Sequence, residues 1–258
     1  MTLQFSKYHG AGNDFILIDN RKQDINLNTS QIAFLCHRHF GIGSDGLMLL
    51  ENHEQFDFFM RYFNPDGSEG MMCGNGGRCI IRFANELGII NQKTVFLAPD
   101  GVHEAEINAE LISLKMNDVN DSETIENNLF LNTGAPHYIK FTENLNQTNV
   151  YTEGKQIRFS PLFKARGGTN INFVHVNDKE LSVRTYERGV ENETLACGTG
   201  IVASAIAAYI SGKIRLTQIN VKALGGDLKV KFETTNNSFS NIWLIGPAKK
   251  VFTGTIVL

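Results

Sequence analysis

Two cysteines in this sequence have neighbours that suit them to chemistry. Cys73 lies in NPDGSEGMMCGNGGRC, residues 64 to 79, and Cys197 in ERGVENETLACGTG, residues 187 to 200. Each is followed at once by glycines and then by a helical run, CIIRFANEL closing on Gly88 and IVASAIAAYIS closing on Gly212. The unpaired N–H groups of a helix start carry partial positive charge. They lower the pKa of a neighbouring thiol and can hold a carboxylate, and glycines let a ligand approach that backbone closely. One such site alone reads equally well as an ordinary turn around a buried cysteine.

The pattern occurs twice, at an offset of 124 residues. At that offset Tyr62 meets Tyr186, Glu69 meets Glu193, Gly88 meets Gly212, and Gly10-Ala11-Gly12-Asn13 meets Gly134-Ala135-Pro136-His137. The chain therefore reads as two copies of one unit, each presenting a thiol at a helix N-terminus. The halves divide at a polar, acidic crossing, Asn117 to Asn128, giving an N-terminal domain 1–118 with Cys73 and a C-terminal domain 119–258 with Cys197.

The elements that must position the thiols follow from pattern. In the first half strands are predicted at Leu3–Tyr8, Phe15–Asp19, Leu47–Leu50, Phe56–Phe63, Thr94–Leu97, Val102–Ile107 and Leu111–Lys115. A helix capped by Ser30 covers QIAFLCHRHF, with Cys36 in its core face. In the second half strands are predicted at Leu129–Thr133, Tyr138–Phe141, Ile171–Val176 and Leu181–Glu187, with a short helix or turn near Ser160-Pro161. A hairpin turning at Gly225-Gly226, the strands NIWLIG and VFTGTIVL, and a loop TTNNSFSN complete it. The run after Cys197 has almost no polar face, so it reads as a buried helix that fixes Cys197 rigidly. Many short strands and about one long helix per half give an α/β (α+β) fold: two pseudo-symmetric domains, each a curled, mainly antiparallel sheet around a central helix.

Residues 41 to 46, GIGSDG, match the G-x-G-x-x-G spacing but follow a helix and precede a strand. That reverses the dinucleotide fingerprint, so no nucleotide cofactor is expected. Hydrophobic residues make up 42% of the 258, enough for a core, and the net charge of −3 without a basic cluster argues against nucleic acid. The longest apolar run is too short to span a membrane. The N-terminus lacks a secretory h-region. The four cysteines lack zinc-ligand spacing, so no metal is expected and they read as reduced cytoplasmic thiols.

KYHGAGNDFILID, NPDGSEGMMCGNGGRC and ERGVENETLACGTG together resemble the diaminopimelate epimerases, and FGIGSDGLMLL, TGAPHY and GTNINFV extend the resemblance over essentially the whole chain. The resemblance implies a racemase without pyridoxal phosphate or metal, with its active site in the cleft between the domains. Inverting an α-carbon needs a base on one face and an acid on the other, and one thiol per half supplies both. The N–H groups of Gly74, Asn75, Gly198 and Thr199 could hold the α-carboxylate and the charge that develops beside it. By resemblance His137 and Glu187 tune the thiols. Asn13, Asn64, Asn170, Glu187 and Arg188 grip the substrate, a small molecule, with Arg188 suited to the distal carboxylate. Ala135 departs from an asparagine or serine common in the family, and Gly46 from a glutamine of some members. A homodimer is also open. The competing readings are a proline-racemase-like enzyme of the same fold, a single-cysteine hydrolase using His137, and a non-catalytic binder of small carboxylates.

Overall fold

A computed structural model describes residues 1–236 and 238–258. The chain divides into two compact units, Met1–Leu114 with Gly246–Leu258, and Lys115–Ile245. The last thirteen residues thus lie with the first unit, whereas the sequence repeat alone assigns them to the second. The reason is pairing: β17 (Lys249–Val257) runs antiparallel to β1 (Thr2–Gly10), from Thr2 opposite Val257 to His9 opposite Lys249.

In the first unit the ladder continues from β1 through β2 (Asn13–Asp19), β3 (Gly46–Glu51), β4 (Phe59–Phe63), β5 (Lys93–Ala98), β6 (Gly101–Asn108) and β7 (Leu111–Met116). The β2–β3 and β4–β5 pairs are parallel and the others antiparallel. The second unit uses β8 (Ser122–Ile125), β9 (Asn128–Asn132), β10 (Pro136–Phe141), β11 (Asn170–Asn177), β12 (Glu180–Glu187), β14 (Gln218–Ala223), β15 (Gly226–Thr235) and β16 (Ser238–Pro247). Its parallel pairs, β10–β11 and β12–β14, fall at the same two steps. The duplication read from residue identities is therefore a duplication of topology. A short β13 (Asn192–Thr194) pairs with the end of β12, where the first unit has a single bridge between Phe63 and Glu69.

Each unit holds one long helix, α2 (Gly74–Glu86) or α5 (Gly198–Ile210), and the two are related by the same 124 residues. Both end where Gly88 and Gly212 take positive φ, +72° and +69°, a conformation that costs an L-residue about 1–2 kcal/mol. Buried residues run around every face of α5, from Ile201 to Ala208, as its sequence predicts. In the first unit α1 (Thr29–Cys36) buries Ile32 and Leu35 in a cluster with Leu3, Phe5, Ile16 and Leu47.

Local differences from the sequence reading have local causes. The N-cap of α1 is Asn28 rather than Ser30, because Asn28 and Gln31 form a reciprocal capping box. That helix stops at Cys36, where His37 turns extended and its ring accepts the N–H groups of His39 and Phe40. Helix α2 begins at Gly74, before the apolar run that marks it in sequence. An unpredicted helix, α3 (Val150–Arg158), is capped by Asn149 and carries Gly154 against the Tyr186 ring. A Cβ on Gly154 would lie 2.4 Å from Tyr186 Cβ, so close packing rather than helix propensity selects glycine there. Ser160 caps the short α4 (Pro161–Ala165). TTNNSFSN is the end of a hairpin between β15 and β16, with Thr235 opposite Ser238; Asn237 lies outside the described residues. Among the described residues no helix is long and apolar enough to cross a membrane.

Candidate active site

Cys73 is the N-cap of α2, and its extended backbone (φ −111°, ψ 150°) turns the side chain back over the first turn. Its Sγ accepts the Gly76 N–H at 3.3 Å. Glycine at position 76 leaves room for the sulfur, since a Cβ there would stand 3.2 Å from it. Asn13 Oδ1 lies 4.0 Å from Cys73 Sγ and accepts from Asn75 Nδ2 at 3.3 Å. Asn13 is aimed from the other side by Asp45, whose Oδ2 accepts its Nδ2 at 2.6 Å and the Asp14 N–H at 3.2 Å.

Asp45 belongs to the GIGSDG loop, which thereby positions Asn13. Lys7 holds the same loop through the Gly43 carbonyl and pairs with Asp14 at 2.6 Å, while Arg38 pairs with both Asp14 and Asp45. Burial works against the Asp14 carboxylate, but Arg38 and Lys7 outweigh it and bring its pKa down to about 2. Gly46 has a structural reason of its own: a Cβ there would fall 2.7 Å from the Tyr62 hydroxyl.

Cys197 occupies the equivalent N-cap of α5 but meets side chains. Its Sγ lies 3.6 Å from Thr199 Oγ1, which is 2.9 Å from His137 Nε2. Asn172 Nδ2 is 3.0 Å from His137 Nδ1, and Asn172 Oδ1 accepts from Thr185 Oγ1 at 2.9 Å. With its Oδ1 on Thr185, the Asn172 amide turns its Nδ2, which can only donate, toward the ring. His137 Nδ1 is then an acceptor, and Nε2–H points to Thr199. Burial, and secondarily the Arg188 charge, lower the His137 pKa to about 3, so the imidazole is neutral at ordinary pH.

Of the other sequence-predicted residues, Asn170, Glu187 and Arg188 lie in the second unit and Asn64 in the first. Asn170 Oδ1 accepts the Arg188 N–H at 2.8 Å, and its Nδ2 donates to the Pro136 carbonyl at 3.2 Å. Asn170 thereby ties the Arg188 turn to the strand that carries His137. Arg188 is exposed, with one contact to the Gly167 carbonyl at 3.3 Å. Glu187 Oε2 accepts from Thr194 Oγ1 at 2.9 Å. Asn64 is engaged within its own turn, donating to Ser68 Oγ at 3.1 Å.

Cys36 and Cys79 are buried, and burial pushes both thiols up in pKa. Sequence reasoning missed Asp45, Asn172 and Thr185. Asn170 and Asn172 alternate with Ile171 and Phe173, which on a strand puts both amides on one face. That alternation was the available signal.

The family model described as diaminopimelate epimerase matches residues 5–120 and 129–251. The chain belongs to the diaminopimelate epimerase family. A diaminopimelate epimerase of Flavobacterium psychrophilum is 51% identical over 257 residues, covering 98% of this chain and all of that one. One from Chlorobaculum tepidum is 45% identical, covering 96% and 99%. As a member of the family the chain is an isomerase that epimerises diaminopimelate, a small-molecule substrate. Solved structures share the fold at low identity. A PhzF-family phenazine biosynthesis protein of Bacillus anthracis superposes with TM-score 0.76 at 15% identity, over the whole of both chains. A hydroxyproline epimerase of Agrobacterium vitis gives 0.70 at 12%, covering this chain fully and 93% of the other. These likenesses carry the fold alone, whereas the relatives of high identity favour the diaminopimelate family over the proline-type alternative.

Proposed function

We propose that Cys73 and Cys197 are the two acid–base groups of the epimerisation, one acting as thiolate on the α-proton and the other as thiol on the opposite face. The observation that carries this reading is the repeat itself: two units of one topology, each with a cysteine as N-cap of its one long helix. A thiolate at that position is favoured by the helix dipole by about 0.3–1 kcal/mol, and more where water is excluded. Removal of the α-proton leaves charge on the α-carboxylate. The N–H groups of Gly74 and Asn75, and of Gly198 and Thr199, are donors suited to it.

His137 acts through Thr199 on Cys197. Held neutral with Nε2–H toward Thr199, it leaves the threonine proton available to the sulfur. Glu187 adds a carboxylate beside the same end of the sheet. Arg188, anchored by Asn170 and exposed, takes the distal carboxylate through its planar fork, with Asn13 and Asn64 as amide partners for the polar groups of substrate. The proposal calls for no cofactor or metal, and free thiols of this kind suit a reducing cytoplasm.

The test is incubation of purified protein with LL-diaminopimelate and separation of the stereoisomers, with Cys73→Ala and Cys197→Ala alongside. Each substitution should reduce conversion by at least about 10³-fold. Near-normal conversion by either variant overturns the two-thiol reading.

A further inference from the structure

The largest fully buried side chain of the protein is a cation, Arg78, in the second turn of the helix that Cys73 caps. It has 0% exposure, and among the described residues no carboxylate pairs with it. Its Nη1 donates to the Gly74 carbonyl at 3.0 Å and its Nη2 to Asn75 Oδ1 at 2.9 Å, while Nε is buried without a partner. Gly10 closes over it from β1, where a Cβ would stand 3.4 Å from Nη2. An isolated buried guanidinium is costly, and leaving it so is tolerated where a negative charge forms beside it.

Arg78 is fixed to the first turn below Cys73. Its partner Asn75 donates to Asn13 Oδ1, and Asn13 Oδ1 lies 4.0 Å from Cys73 Sγ. The other ionisable groups around α2 do not compensate it. Asp14 on β2 is already paired with Lys7 and Arg38, while Cys79 on α2 and Tyr8 on β1 are held protonated, chiefly by burial. Burial lowers Arg78 itself only to about 10, so it stays charged at neutral pH.

Among the described residues the second unit has no buried cation at the equivalent place on its helix; the charge felt at the Cys197 relay is that of the exposed Arg188. The residue 124 positions on is Val202, fully buried in α5, and the ring in the Cys197 relay is a neutral imidazole.

We propose that Arg78 is a positioning residue that makes Cys73, rather than Cys197, the thiolate of the substrate-free enzyme. The inference rests on the two-thiol reading and adds the asymmetry that an almost symmetric pair of helices would otherwise lack. Cys73 is thereby the base that meets the first substrate, and Cys197 the acid.

The test is the pH dependence of iodoacetamide alkylation of substrate-free enzyme, followed at each cysteine by peptide mapping. Midpoints, not rates, are compared, because the two sulfurs differ in exposure. Cys73 should titrate at least about one unit below Cys197. Arg78→Met should raise the Cys73 midpoint by roughly one unit and leave that of Cys197 in place, whereas Arg78→Lys should restore most of the shift. A wild-type midpoint for Cys197 at or below that of Cys73 overturns the proposal, and so does a folded Arg78→Met with an unchanged Cys73 midpoint. Should Arg78→Met not fold, the wild-type order and Arg78→Lys still decide. Full epimerase activity in a Cys73→Ala or Cys197→Ala variant instead removes the two-thiol reading beneath it, a result the midpoints do not produce.

Discussion

The Asn172 amide donates to His137 Nδ1 at 3.0 Å, and that contact sets the imidazole tautomer facing Thr199. The amide reaches the ring over Gly200, where a Cβ would fall 2.3 Å from Asn172 Oδ1. Gly200→Ala should therefore displace Asn172 and lower kcat by about 10²-fold, within the range for a disturbed proton relay. Asn172→Ala should act in the same direction and leave His137 Nδ1 buried without a donor, a loss of about 1–3 kcal/mol in stability. Steady-state kinetics with thermal unfolding separates the two effects, and unchanged kcat in both variants would remove His137 from the relay.

The burial of His137 also predicts a pH dependence of stability. The unfolded chain takes up a proton near 6.5, the folded one only near 3, so this contribution is complete above about 6.5 and is lost as pH falls toward 3. Relative to His137→Gln, the stability of the wild type should decline by roughly 1.4 kcal/mol per pH unit below that point. Urea unfolding between about pH 7 and pH 5 measures it. Parallel curves for the two proteins would mean that the ring is protonated in the fold.

Asp45 aims Asn13 without reaching toward the thiol itself. Asp45→Ala should leave Asn13 unanchored and raise KM by about tenfold, the equivalent of one hydrogen bond of about 1.4 kcal/mol. Substrate titration of initial rates is the measurement, and an unchanged KM would show that Asn13 needs no such support.

What the sequence made legible, and what it hid, divides along physical lines. The N-cap cysteines and the helices behind them were readable because glycines and a helix start are local signals, and because the two copies keep one offset of 124 residues. The whole-helix burial of α5 was readable from its composition. The return of Lys249–Val257 to β1 was not, because strand pairing is non-local. Helix α3 was hidden by Gly154, which is chosen for contact with Tyr186 rather than for helix formation. Arg78 stands at the edge of an apolar run in the sequence, and only its complete burial gives it significance. GIGSDG reads in sequence only as a glycine-rich loop between a helix and a strand, because its role in holding Asn13 depends on side-chain contacts between distant loops.

Arg188 should set the requirement for a second carboxylate. Arg188→Lys keeps the charge and loses the fork, and should raise KM by at least tenfold, about 1.4 kcal/mol or more. For the unmodified enzyme, alanine should be turned over at a small fraction of the diaminopimelate rate. Comparable rates on alanine or proline would remove the distal grip.

The proposed thiol acid–base chemistry uses only groups of the chain itself, so exhaustive dialysis against a chelator should leave the activity intact. Activity lost on dialysis and restored by pyridoxal phosphate or a divalent metal would contradict the mechanism.

The most direct measurement of the central claim is the fate of the α-proton in deuterium oxide during the first turnovers with LL-diaminopimelate. If one thiol removes the proton and the other delivers a different one, each product molecule carries solvent deuterium at the inverted carbon while unreacted substrate remains protiated. Mass spectrometry of the separated isomers reads both. Product that retains the original proton, or substrate that exchanges without inversion at the same rate, would mean that a single base works on both faces, and the account built on Cys73 and Cys197 would fail.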